Sequence, residues 1–149
     1  MDVGTDPSRY LGMASFADAL NRLAVSQYMN TAVVPKRGYV PPPLDGIWAR
    51  YPYLHNNAIS SLCELLTPGP LRKKVYLAVT PEDKTRDFDQ ECVGYPKDLS
   101  QHPKIQTRFD TTVEGQANGG HDEGIFLHNG KEIFDWEQKK AIIEFLKTL

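Results

Sequence analysis

PPPLDGIWARYPYLHNNAISSLCELLTP, residues 41–68, sets Trp48, Tyr51, Tyr53 and His55 in a stretch too broken by proline to run as a regular strand or helix. Aromatic rings bury large flat surfaces, and Tyr and Trp keep a polar edge that can be satisfied meanwhile. Two readings of the stretch stay open. The aromatics are the core of a helix-poor domain with His55 bonded to a loop carbonyl, or they line a bound flat group.

Outward from this stretch, regular structure is sparse. Ser61 and Glu64 have capping-box spacing ahead of Leu65 and Leu66, and "TPGP" at 67–70 limits that helix to two turns. "KKVYLAV" at 73–79 reads as one short strand with Val75, Leu77 and Val79 on one face. An amphipathic helix is expected in "ASFADALNRLAVSQYM", where Phe16, Leu20, Leu23 and Ala24 recur on one side. A terminal helix is expected from Asp135, with Gln138 completing its N-cap pair and Ile142, Phe145, Leu146 and Leu149 as its apolar stripe. Most of 78–130 is loop-like, rich in Pro, Gly, Asp and Asn. The expected fold is mainly α, a single domain over 1–149 with few helices and long ordered loops. Such loops are economical only if something besides side chains fills the core, and a prosthetic group would do so.

Composition narrows the partners. A chain of 149 residues with 40% hydrophobic content is of a size that folds around one core. A net charge of -2 with no Lys/Arg block argues against a phosphate-tracking surface, so nucleic acid is not expected. No apolar run reaches the roughly 18 to 20 residues of a membrane span, and "MDVGTDPSRY" lacks the regions of a secretion signal. Cys63 and Cys92 are open to three readings: a disulfide, two free thiols or two core residues. Neither begins a C-x-x-C or a C-x-x-C-H.

Three blocks, "VGTDP" at 3–7, the 41–68 stretch, and "GQANGGHDEG" at 115–124 with the terminal "AIIEFLKTL", resemble the C-terminal region of bacterial di-haem cytochrome c peroxidase-like proteins, in the branch of the rubber oxygenases. The resemblance covers nearly the whole chain. It implies a cytochrome c-like domain, haem c held by a C-x-x-C-H segment, a proximal histidine, and a second ligand from later in the chain. Since "VGTDP" follows the attachment motif in that family, the chain reads as a domain incomplete relative to it. Its implied partner is then a haem-bearing upstream segment or a redox partner protein. Family membership further implies export to the periplasm or cell surface.

Under the resemblance, Trp48, Tyr51, Tyr53 and His55 line the haem region. His121 in "NGGHDEG" is the axial-ligand candidate, because flanking glycines admit a flat cofactor and an imidazole nitrogen suits haem iron. Asp122 and Glu123 are placed to orient its ring; the competing view is a solvated glycine-rich turn. His102 and His128 are read as turn residues. Met1, Met13 and Met29 are possible thioether ligands better explained by packing. His121, Asp122, Glu123 and His55 as a haem-free metal site ranks lower, since adjacent residues rarely all face one ion. No P-loop spacing and no G-x-S-x-G elbow occurs. The function expected is a haem-protein domain of a peroxidase- or oxygenase-type oxidoreductase, silent as this chain alone. The alternative is a haem-less cytochrome-like scaffold used for protein binding or packing.

Overall fold

The computed structural model describes residues 4–104 and 106–149; Met1 lies outside them. Of the described residues 28% are helical and 12% lie in strands or bridges, which corrects the expectation of a mainly α chain. With 11 prolines and 11 glycines in 149 residues, long backbone ladders are interrupted and side chains take over their work. The chain forms two compact units, Pro7–Pro42 and Met1–Asp6 with Pro43–Leu149. No helix among the described residues is long and apolar enough to cross a membrane.

In the Pro7–Pro42 unit, α1 (Ser8–Asn21) begins earlier than the periodicity suggests, directly after Pro7. It breaks at Arg22 and Leu23 before the short α2 (Ala24–Tyr28). Polar side chains make the break. Ser26 Oγ donates to the Leu20 carbonyl and Gln27 Nε2 to that of Asn21, while the Asn21 amide exchanges bonds of 3.0 and 2.7 Å with the Val33 backbone. The proposed apolar face is not a core face, since Phe16, Leu23 and both Met13 and Met29 are exposed. Packing therefore does not account for the two methionines.

The larger unit is built on the 41–68 stretch. Ser61 caps α3 (Leu62–Leu65) through the Glu64 N–H, but Glu64 spends its carboxylate on the Lys73 N–H instead of closing the box. The strand read at 73–79 is β1 (Val75–Ala78), paired antiparallel with β2 (Thr107–Asp110), which no alternation announced. Within it only Tyr76 is buried, and Val79 is buried just past its end, where Val75, Leu77 and Val79 were expected to share one face. β3 (Leu127–His128) and β4 (Lys131–Glu132) form a hairpin around Asn129 and Gly130, both at positive φ as a type I′ turn requires.

α4 (Trp136–Leu146) carries the full Asp135/Gln138 capping box. Its inner stripe is Lys139, Ile143 and Leu146, rotated from the one expected, with Phe145 exposed. Ile143 joins Tyr53, Ile59, Leu62 and Val93 in the core. Cys63 and Cys92 form a disulfide that ties α3 to the loop before Tyr95, which settles the question left open by the sequence.

Candidate functional site

Three distant segments of the larger unit meet around His121. Gly4, at φ 67°, lies alongside Gly120, so that a Cβ there would meet Gly120 Cα at 3.5 Å, an ordinary contact. Thr5 Oγ1 lies 3.4 Å from His55 Nδ1, and the Asp6 carboxylate accepts the Ala117 N–H at 3.1 Å. From the 41–68 stretch, Asn56 Nδ2 donates to the carbonyls of Gly115 and Ala117. The 115–122 loop has no helix or strand of its own, and these bonds replace the missing ladder.

The loop is fixed from a third side by Arg72. Its guanidinium is buried, 2% exposed, and donates to four carbonyls: Thr67, Leu65, Asn118 at 2.6 Å and Gly120 at 2.7 Å. Asn118, itself buried, donates to the Lys73 carbonyl at 2.7 Å. Beyond Gly120 the chain turns through a left-handed His121 at φ 58°, a conformation costing a non-glycine residue roughly 1–2 kcal/mol unless its surroundings hold it.

That conformation places His121 Nε2 in a buried position with no hydrogen-bond partner among the described residues. A buried polar atom left unmet ordinarily costs roughly 1–3 kcal/mol, so such an atom calls for a partner. Burial holds the His121 imidazole below its usual pKa, the charges of Arg72 and His55 push the same way, and Asp122 opposes them. The ring is therefore neutral at neutral pH, the state in which an imidazole binds a metal.

Asp122 and Glu123 do not serve the ring in the way expected. Asp122 Oδ2 accepts the Gly69 N–H at 2.8 Å, while Glu123 accepts the N–H groups of Asn129 and Gly130. Both carboxylates brace the loop instead, meeting backbone N–H groups that no ladder uses. Among the described residues no group of three or more His, Cys, Asp or Glu side chains is placed to hold an ion. A metal held by protein alone needs such a set, whereas iron in a porphyrin needs only axial donors. The donor chemistry of His121 fits the second case.

The aromatic residues lie apart. Tyr53 is buried in the core and its hydroxyl donates to the Val93 carbonyl at 3.1 Å. Trp48 and Tyr51 line a cavity of about 350 Å³ with Pro81, Glu82 and Phe88. Tyr51 stacks on Phe88 with centroids 5.4 Å apart and meets Tyr95 edge-on at 5.0 Å. A further cavity, about 400 Å³, lies beside Cys63, between Lys73, Tyr95 and Trp136.

Arg72 escaped the sequence reading, and so did a polar cluster at Asp87. Asp87 is fully buried and accepts from Arg86, from the N–H groups of Glu82 and Asp83, and from His102 Nε2 at 2.8 Å. His102 sits in a turn as expected, but its ring is buried, and Nδ1 accepts the Lys104 N–H. The Arg86 hydrogen bond, with the backbone N–H groups and His102 adding to it, holds the Asp87 carboxyl far below the usual range, against its desolvation. A depressed folded pKa stabilises the fold at any pH above that of the unfolded carboxyl, near 4, and the contribution fades as pH falls below it. Thermal unfolding followed from pH 7 to pH 2 should show the melting temperature falling more steeply below about pH 4 in the native chain than in Asp87→Asn. Parallel profiles would remove Asp87 as the acid-sensitive group.

Residues 38–77 match the family model described as RoxA-like, cytochrome c-like, which agrees with the resemblance read from the 41–68 stretch. Over these residues the chain is similar to a RoxA-like cytochrome c-like region. The chain is 32% identical over 143 residues to the uncharacterized protein y4iM of Sinorhizobium fredii (strain NBRC 101917 / NGR234), covering 85% of this chain. It is 34% identical over 113 residues to the uncharacterized protein y4iJ of the same strain, covering 74% of this chain. The matches span 31% and 18% of those relatives' lengths. No solved structure matches it.

Proposed function

We propose that this chain is one domain of an exported c-type cytochrome of the peroxidase or oxygenase kind, and that it supplies a haem-pocket wall with His121 as an axial ligand. One observation carries the reading: residues 4–6, 55–56 and 115–121, far apart in sequence, converge on a neutral imidazole whose buried Nε2 lacks a partner among the described residues. Haem c, attached through a C-x-x-C-H segment outside these 149 residues, supplies electron transfer coupled to peroxide or dioxygen reduction.

Within this chain, His121 donates Nε2, and His55 and Thr5 form the polar edge beside it. Trp48 and Tyr51 would offer an aromatic wall only to the separate cavity that they line, while Tyr53 stays in the core. The Cys63–Cys92 disulfide supports export, because disulfides persist in oxidising compartments such as the periplasm. The complete protein's substrate lies with the residues that complete the pocket, and the chain alone is silent.

The test is the visible spectrum of the chain before and after one equivalent of haem, with His121→Ala alongside. The native chain is expected to give a low-spin Soret band that His121→Ala loses. Retention of the same band by the variant would remove His121 as the ligand. No haem response at all, in the native chain or with a C-x-x-C-H haem peptide added, would favour a haem-less scaffold. The stacking of Tyr51 on Phe88, its edge contact with Tyr95 and the burial of Tyr53 in the core favour that second reading.

A further inference from the structure

We propose that Arg72 is the positioning residue of the His121 site, clamping the carbonyls on either side of Gly119 so that the imidazole is held ready for its ligand. The proposal rests on the reading of His121 as a metal ligand and adds the group that prepares it. Arg72 stands 49 positions before His121 in the sequence. It lies beyond the short 3-10 turn Gly69–Leu71 that follows α3.

The geometry is that of a clamp with two jaws. On one side the guanidinium holds the Leu65 and Thr67 carbonyls at the end of α3; on the other it holds Asn118 and Gly120 in the loop. A planar guanidinium offers five N–H donors in a fixed fork, so one side chain can bind both segments at once. Burying such a cation is costly unless its donors are met, and here four of its bonds go to backbone carbonyls that no ladder uses. The gain is local order where the chain has no regular structure.

Two further contacts point the same way. Asp122, one residue past His121, reaches back to the Gly69 N–H, so the 69–72 segment grips the loop on both sides of the imidazole. A Cβ on Gly69 would lie 3.0 Å from that carboxylate, so the approach leaves no slack. With both flanks tied, the left-handed backbone at His121 has little freedom to relax, and Nε2 stays where it is buried.

Arg72→Lys and Arg72→Gln in the full chain test the idea. A lysine keeps the charge, but its donors radiate from one nitrogen and cannot span two segments. In the haem-free chain, the His121 ring signal in an NMR spectrum is expected to broaden or shift in both variants, while amide protection in β1 and β2 stays native. After haem addition, affinity is expected to fall about 10- to 100-fold in both, as for lost outer partners of a metal ligand. An unchanged His121 signal would overturn the proposal. So would loss of β1 and β2 protection in both variants, which would make Arg72 a residue of the fold at large. If His121→Ala leaves the haem spectrum unaltered, the ligand reading fails by itself, and the haem-free ring signal still judges Arg72.

Discussion

Reduction of the Cys63–Cys92 disulfide is expected to destabilise the chain by about 3.5 kcal/mol, the loop-closure value for a separation of 29 residues. The bond joins α3 to a loop that is tied to the same region by hydrogen bonds as well. Cys92 gives its carbonyl to the N–H groups of Leu62 and Cys63, and Tyr53 gives its hydroxyl to Val93. Each such hydrogen bond contributes only about 1 kcal/mol net, so together they offset part of the loss at most. Urea unfolding with and without a reductant, beside a Cys63→Ser/Cys92→Ser double variant, measures the effect. A loss below about 1 kcal/mol would show that the unfolded chain already keeps the two segments together.

Such ties explain which parts of the fold could be read beforehand. The Asp135 and Gln138 box and the Ser61 cap rest on residues three apart, so the sequence displays them directly. β2 was invisible because Thr107–Asp110 depends on a partner strand about 30 positions earlier and has no alternation of its own. The stripe of α4 was misjudged by one position because Lys139 takes an inner place, its ammonium bonded to Glu132 and lying over the Phe126 ring. Hydropathy assigns a lysine to solvent; only the tertiary partner reverses that.

The site divides along the same line. The sequence singled out His121 by its glycine flank and His55 by its aromatic neighbours, and the structure gives each a buried Nε2. Arg72 was not singled out, because its partners are backbone carbonyls, which leave no mark on residue type. The closeness of Gly4 to Gly120 spans nearly the whole chain, and no local pattern announces it. The expectation for Asp122 and Glu123 failed for a related reason. The two carboxylates next to the histidine are taken up by the N–H groups of Gly69, Asn129 and Gly130, partners that residue type does not reveal.

Gly94→Ala is expected to be strongly destabilising for a single added methyl. The new Cβ would stand 2.2 Å from the Ser60 carbonyl oxygen and 2.6 Å from Ser61 Cα, and both are backbone atoms that cannot rotate away. Gly94 pairs with Ser61 in an isolated bridge, and the Tyr95 N–H reaches the Ser60 carbonyl at 3.0 Å, so the two segments are drawn together there. Overpacking that side chains can absorb costs roughly 1–3 kcal/mol; a clash with fixed backbone should exceed about 3 kcal/mol. The disulfide two residues away makes it worse, because it prevents the segments from parting to make room. The two effects should therefore couple. In the reduced chain Gly94→Ala should be less damaging than in the oxidised one, by more than the roughly 0.5 kcal/mol within which independent sites add. A cycle of four unfolding measurements gives that difference. Strict additivity would mean that the strand pairing at Gly94, and not the covalent bond, sets how closely α3 and the 87–95 loop approach.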